Sequence, residues 1–158
     1  TELVIRNARK LDVEIVEEAA RTIAERSRST PRVANTRLRW VRDFATSRSD
    51  GRISIDVALA ALEMAGIDRR GLDKQDRRYL ETLIRVFGGG PAGVEAIAHT
   101  MNTASDTLVD EVEPYLLRSE LVVRTPRGRV ATVKAYQHLQ ISPPAEEEDD
   151  EHDQMSLF

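Results

Sequence analysis

The chain has 158 residues, 41% of them hydrophobic and 32% charged, which allows one ordinary domain or two small packed ones. No run approaches the roughly 18 apolar residues of a membrane span, and Thr1-Glu-Leu-Val-Ile-Arg6 lacks the basic-then-apolar pattern of an export signal. With no cysteine, disulfides, thiolate zinc sites and thiol catalysis are excluded, in agreement with a reducing, cytoplasmic setting.

The formal charge of −4 is unevenly spread. Ala145–Phe158 holds seven acidic residues and no Lys or Arg, so the body before it sets 23 basic residues against 20 acidic ones. A mildly basic body with an acidic tail suits a nucleic-acid binder, although such a tail also serves simply to solubilise.

In chain order, Val13, Val16, Ala20, Ile23 and Ala24 recur at helical spacing and predict a first helix that stops near Arg26-Ser-Arg-Ser-Thr30. Thr30 reads as an N-cap and Pro31 as the first residue of a second helix, with Val33, Ala34, Leu38, Val41 and Ala45 as its apolar stripe. Ile53-Ser-Ile-Asp56 caps a third, Val57 to Met64, which Gly66 ends. The charged, glycine-containing Asp68–Asp73 marks a boundary. Asp73 then caps a helix from Lys74 to Phe87 whose core face is Leu80, Leu83, Ile84 and Phe87. Gly88-Gly-Gly-Pro91 stops the chain and restarts it, and two shorter helices follow, around Val94–Met101 and from Asp106 to Leu116. Leu121-Val-Val-Arg, the turn Thr-Pro-Arg-Gly and Arg-Val-Ala-Thr132 then read as a β-hairpin, with a last element over Val133–Leu139. Three helices followed by a two-stranded hairpin is the order of a winged helix-turn-helix domain.

Arg124, Arg127 and Arg129 crowd this hairpin, where no carboxylate within the turn compensates them. Guanidinium forks match phosphate oxygens bidentately, so the wing is expected to hold a nucleic-acid backbone. The preceding helix carries Asp106, Asp110, Glu111 and Glu113, which argues against its burial in a major groove. Arg32 falls in the first turn of its helix, where the macrodipole disfavours a cation and favours an anion such as a nucleotide phosphate. The alternative is a pairing of Arg32 with a carboxylate such as Asp43. Arg37, Arg39 and Arg42 read as a solvated or interface face. His99, His138 and His152 have no ligand spacing, and no Gly-Lys-Ser/Thr follows the glycine run, so the chain alone should neither bind a catalytic metal nor hydrolyse ATP. The terminal Gln154-Met-Ser-Leu-Phe158 has the form of a docking peptide, with Leu157 and Phe158 for an apolar pocket and Gln154 for its edge. It resembles the peptide by which bacterial DNA-processing proteins bind the replicative sliding clamp.

Ala24-Glu-Arg-Ser-Arg-Ser-Thr-Pro-Arg-Val-Ala-Asn35, Val41-Arg-Asp-Phe44, Gly71-Leu-Asp-Lys-Gln-Asp-Arg77, Gly89-Gly-Pro91, Glu113-Pro-Tyr-Leu116 and Arg124-Thr-Pro-Arg-Gly-Arg-Val-Ala-Thr132 stand in one order. Together, from about Thr1 to Leu139, they resemble the C-terminal half of the RuvB family of Holliday-junction branch-migration motors. The resemblance implies a mainly α fold. Residues 1–67 would be the helical lid of an AAA+ ATPase, 68–142 a winged-helix DNA-binding domain and 143–158 a disordered acidic tail. It makes Arg32 the sensor-2 arginine at the terminal phosphates of ATP, and Arg124 and Arg129 the DNA-contacting arginines, with Arg127 between them. It further implies a homohexamer that acts on double-stranded DNA and Holliday junctions with RuvA and RuvC. ATP and magnesium would be held in a large ATPase domain that this chain lacks. Two departures stand out: Ser29 where the family has glycine, and Ser105 where it has a DNA-contacting arginine. Two other readings stay open, a motor-less DNA-binding adaptor docked on the clamp and a winged-helix transcriptional regulator. An ATPase reading frame upstream of Thr1 would favour the motor fragment over the adaptor.

Overall fold

The structure, a computed structural model, describes residues 1–145. They form two hydrophobic cores joined at residues 66–76. The first is built by α1 (Glu2–Lys10), α2 (Glu17–Glu25), α3 (Pro31–Arg48) and α4 (Ile55–Met64) around Val4, Ile23, Leu38, Val41, Ile53 and Leu62. Helix α1 escapes a reading based on apolar spacing because it buries only Val4 and Ala8. Its charge order, Glu2 in the first turn and Arg9 and Lys10 in the last, complements the helix dipole. The expected helix from Val13 is shorter than its apolar spacing implied. Asp12 takes a left-handed conformation, and Ile15 pairs with Ile53 in a parallel bridge, so α2 begins only at Glu17. Val13, Ile15 and Val16 still pack on the core, but from an extended segment.

Thr30 and Pro31 stand where expected, yet the Thr30 hydroxyl donates to the Arg28 carbonyl at 3.1 Å and caps no helix N–H. The reason is the backbone just before it, where Arg28 and Ser29 are both left-handed, with φ of 57° and 53°. Ser54, by contrast, is a working cap that accepts from the Val57 N–H at 3.2 Å. The Trp40 indole donates to the Ala61 carbonyl at 2.6 Å and ties α3 to α4.

The second core comprises α5 (Lys74–Glu81), α6 (Val94–Met101), α7 (Ser105–Thr107), α8 (Glu113–Arg118), the antiparallel strands β1 (Val122–Thr125) and β2 (Gly128–Ala131), and α9 (Val133–Leu139). Asp73 and Asp76 close a reciprocal capping box at the start of α5, each carboxylate accepting the other's N–H at 2.9 Å. Helix α5 widens into a π-helical turn over Thr82–Val86, and another such turn, Leu108–Val112, links α7 to α8. Tyr79, Leu80, Leu83, Ile97, Met101, Leu108, Leu116 and Leu121 fill the interior. No described helix is long and apolar enough to cross a membrane.

The two cores meet through Arg28. Its guanidinium bonds the buried Asp76 carboxylate, lies 3.4 Å from Asp73, donates to the Gly71 carbonyl at 3.2 Å and stacks 5.1 Å from the Tyr115 ring centroid. Arg37 is not part of a solvated face: it is 6% exposed and donates to the same Gly71 carbonyl at 3.0 Å. Burial pulls its guanidinium down to about 10. Burial likewise pushes the Asp76 carboxyl up to about 7, with the Asp73 N–H and then Arg28 pulling the other way. Gly71 is required here, because a Cβ would stand 2.5 Å from the Arg26 carbonyl oxygen.

Serine pays for the left-handed turn at position 29. A non-glycine residue there loses about 1–2 kcal/mol, partly offset by the extra freedom that glycine has when unfolded, about 0.5–1 kcal/mol. Ser29→Gly should therefore raise stability by roughly 0.5–1 kcal/mol, seen in urea unfolding as a higher midpoint at unchanged slope. A lower midpoint would show that the Ser29 side chain makes a compensating interaction.

Candidate nucleic-acid interface

The hairpin forms where the sequence places it. Its turn is closed by Thr125, whose hydroxyl donates to the Gly128 carbonyl at 2.8 Å and accepts the Arg127 N–H at 3.3 Å. Arg127 is thereby set at the exposed tip, with no ion pair among the described residues. Arg124 and Arg129 stand directly opposite each other in the strand register, so their side chains share one face.

Like charges in that position repel, and the compensating anion comes from outside the turn. Glu113, fully buried on α8, accepts from Arg124 Nη2 at 3.1 Å through Oε2 and from Arg129 Nε at 3.1 and 3.3 Å through its two oxygens. Glu113 is therefore not part of an acidic surface on the recognition helix, although Asp106, Asp110 and Glu111 of that stretch are exposed. The buried Tyr79 phenol lies beside the same carboxylate without reaching hydrogen-bond geometry. Burial first, and then the Glu113 charge, pushes its ionisation upward.

The glycine run does more than restart a helix. Ala92 and Arg129 exchange backbone hydrogen bonds of 3.0 and 2.7 Å, and the Ala131 N–H reaches the Gly89 carbonyl at 2.9 Å. Gly89–Ala92 thus lies along β2 and braces the base of the wing. The approach is close enough that a Cβ on Gly128 would stand 2.6 Å from the Ala92 carbonyl carbon. Ser105 opens α7, half-buried, and brings no cation to this face.

Arg32 sits in a different place. It is exposed in the first turn of the 18-residue α3, and no carboxylate among the described residues pairs with it. Asp43 is instead held by its neighbour Arg42 at 2.8 Å. A cleft of about 800 Å³ between the two cores collects Arg32, Thr36 and Trp40 from the first and Asp110, Glu111 and Arg118 from the second. The bare cation and the helix N-terminus favour an anion on this wall, while Asp110 and Glu111 line the wall that the second core contributes. The wing arginines thus stand on the second core and Arg32 on the first. Gln154, Leu157, Phe158 and His152 lie outside the described residues. His138 bonds Asp68 at 2.7 Å, and His99 is exposed. No cluster of potential metal ligands occurs among the described residues.

Glu113, Arg28, Arg37 and Gly71 were not singled out as working residues by sequence reasoning. A signal existed for Glu113: two arginines in cross-strand register favour a nearby anion, and Glu113 and Glu120 are the last two acids before the hairpin.

Comparison with known proteins follows the same division. Residues 1–68 match the RuvB AAA lid domain and residues 69–140 the RuvB C-terminal winged helix domain. The chain is 62% identical over 143 residues to the Holliday junction branch migration complex subunit RuvB of Rhodopirellula baltica, covering 90% of this chain and 39% of that protein. It is 51% identical over 144 residues to the subunit of the same description from Saccharopolyspora erythraea, covering 90% and 41%. The solved Thermotoga maritima RuvB Holliday junction branch migration motor superposes with a TM-score of 0.85 at 45% identity, over 90% of this chain and 48% of the motor. The chain spans about two fifths of the length of its curated relatives. It belongs to the RuvB family, of which it carries the lid and the winged-helix domain.

Proposed function

We propose that the chain is the lid and DNA-binding module of an ATP-dependent double-stranded-DNA translocase that drives Holliday-junction branch migration in recombination and repair. The observation that carries this reading is the pairing of two sites on one jointed body. The second core carries a wing with three arginines, and the first carries an arginine set bare at a helix N-terminus. Arg124, Arg127 and Arg129 take the phosphate backbone, which is sequence-independent work. Arg32, with the first turn of α3, takes the terminal phosphates of ATP that a large ATPase domain would bind with magnesium. ATP supplies the free energy, and the residues of this chain sense its phosphates and pass the change to the wing. A homohexamer around duplex DNA, with RuvA and RuvC as partners and the bacterial cytoplasm as location, completes the reading.

A second reading rests on Gln154-Met-Ser-Leu-Phe158 and treats the chain as an adaptor docked on the sliding clamp. Operator recognition by the helix is disfavoured by the exposed Asp106, Asp110 and Glu111, which repel a major-groove wall.

Charge reversal at Arg124 or Arg129 would press a second carboxylate on the buried Glu113, so neutralisation at exposed positions is the cleaner test. Arg124→Gln with Arg127→Gln should weaken duplex binding about equally for every sequence and reduce the log–log salt slope by roughly 1.8, two phosphates at ~0.9 each. Titrations on several unrelated duplexes at four salt concentrations measure both. A sequence-selective loss would defeat the backbone-grip reading.

Arg32→Ala should leave the stability of this chain within about 0.5 kcal/mol of its parent, as expected for an exposed, unpaired side chain. In the complete motor the same change should depress ATP turnover at least tenfold. A large stability loss with unchanged turnover would make Arg32 structural. Deletion of Gln154–Phe158 should abolish capture of the chain by immobilised sliding clamp, and undiminished capture would end the docking idea.

A further inference from the structure

The three wing arginines differ in how they are held. Arg127 is exposed at the tip with no ion pair among the described residues. Arg124 and Arg129 share the one buried carboxylate of Glu113, which comes from α8 and not from the hairpin. Each guanidinium has five N–H groups, and Glu113 engages only Nη2 of Arg124 and Nε of Arg129. The other donors of both forks are left uncommitted among the described residues, and Arg124 keeps 49% of its side chain in solvent.

An arginine that first becomes ordered on a phosphate loses affinity to the lost freedom of its long side chain, whereas one already held does not. We propose that Glu113 is a positioning residue for DNA: it touches no nucleic acid, and it fixes Arg124 and Arg129 as a paired fork presented to phosphates. This rests on the backbone-grip function proposed for the wing. The opposing view is that Glu113 only neutralises a repulsive pair within the fold and so dims the positive field that DNA feels.

The two views predict opposite signs for one substitution. Glu113→Gln keeps the side-chain shape and adds one positive charge to the wing face. If Glu113 merely dims the field, duplex binding tightens. If it positions the arginines, binding weakens by about tenfold, the scale of immobilising such side chains afresh. The salt slope then stays the same or steepens, because no phosphate-facing cation is lost. A collapsed wing would instead flatten the slope along with the affinity, and thermal unfolding of the variant reports such damage directly. Duplex titrations of the 158-residue chain and its Glu113→Gln variant at several salt concentrations provide the comparison.

Equal or tighter binding by the variant overturns the positioning role and leaves the wing grip standing. A parent chain that binds no duplex at any salt overturns the grip itself, and this inference with it. Should Glu113→Gln fail to fold, NMR of the side-chain Nε–H groups tests the parent chain. The Arg129 signal should be slow to exchange with water, unlike that of Arg127, and should keep its shift when duplex is added, while the Nη signals of Arg124 and Arg129 move. An Arg129 Nε–H that exchanges as fast as that of Arg127, or leaves its position on DNA binding, overturns the proposal.

Discussion

The structure depends on one guanidinium that is largely withdrawn from solvent. Arg28 sits on a left-handed backbone at the end of the loop after α2, and its side chain crosses into the second core to serve Asp76, Asp73 and the Gly71 carbonyl. Each core alone is of about the size at which independent folding is marginal. Arg28, Arg37 and the Tyr115 ring convert the two into one mechanical body, because the cations that serve the junction belong to the first core and most of its acceptors to the second. Burying so much charge is costly, and the raised Asp76 ionisation and lowered Arg37 ionisation express that cost. What the arrangement provides is directionality, since two guanidiniums converge on the single Gly71 carbonyl.

That directionality matters because Arg28 and Arg32 lie four residues apart at the start of α3. A displacement of the first turn of α3 carries the left-handed Arg28-Ser29 pair with it. The second core must then follow or surrender its ion pairs. The wing is held to that core at two places, by Glu113 from beneath and by the Gly89–Ala92 segment along β2. The Arg28 junction and the Glu113 anchor of the wing thus both rest on the second core.

Much of this was legible in the sequence where the signals are local. Pro31, Ser54 and Asp73 mark helix starts through chemistry that operates within three residues, and the hairpin announces itself by β-branched residues around a Pro-Arg-Gly turn. Arg124, Arg127 and Arg129 could be placed on the wing for the same reason. What escaped was long-range. Glu113 read as one more surface acid because burial depends on what packs above it, and Arg37 read as part of a solvated or interface face because its acceptor is 34 residues away. Thr30 shows a subtler limit: its identity suits an N-cap, but two consecutive left-handed residues before it redirect the hydroxyl to a carbonyl. Helix α1 escaped although Val4, Ala8 and Leu11 recur at helical spacing, because its nine residues leave room for only a short stripe among many charges.

The close seating of Gly128 against Ala92 has a consequence for how such a grip can diverge. With no room for a side chain at 128 and the base of β2 pinned by Gly89, the wing cannot lengthen from its root without breaking its brace. Only the turn residues Pro126 and Arg127 lie clear of this brace, so the wing can change at its tip while its length stays fixed.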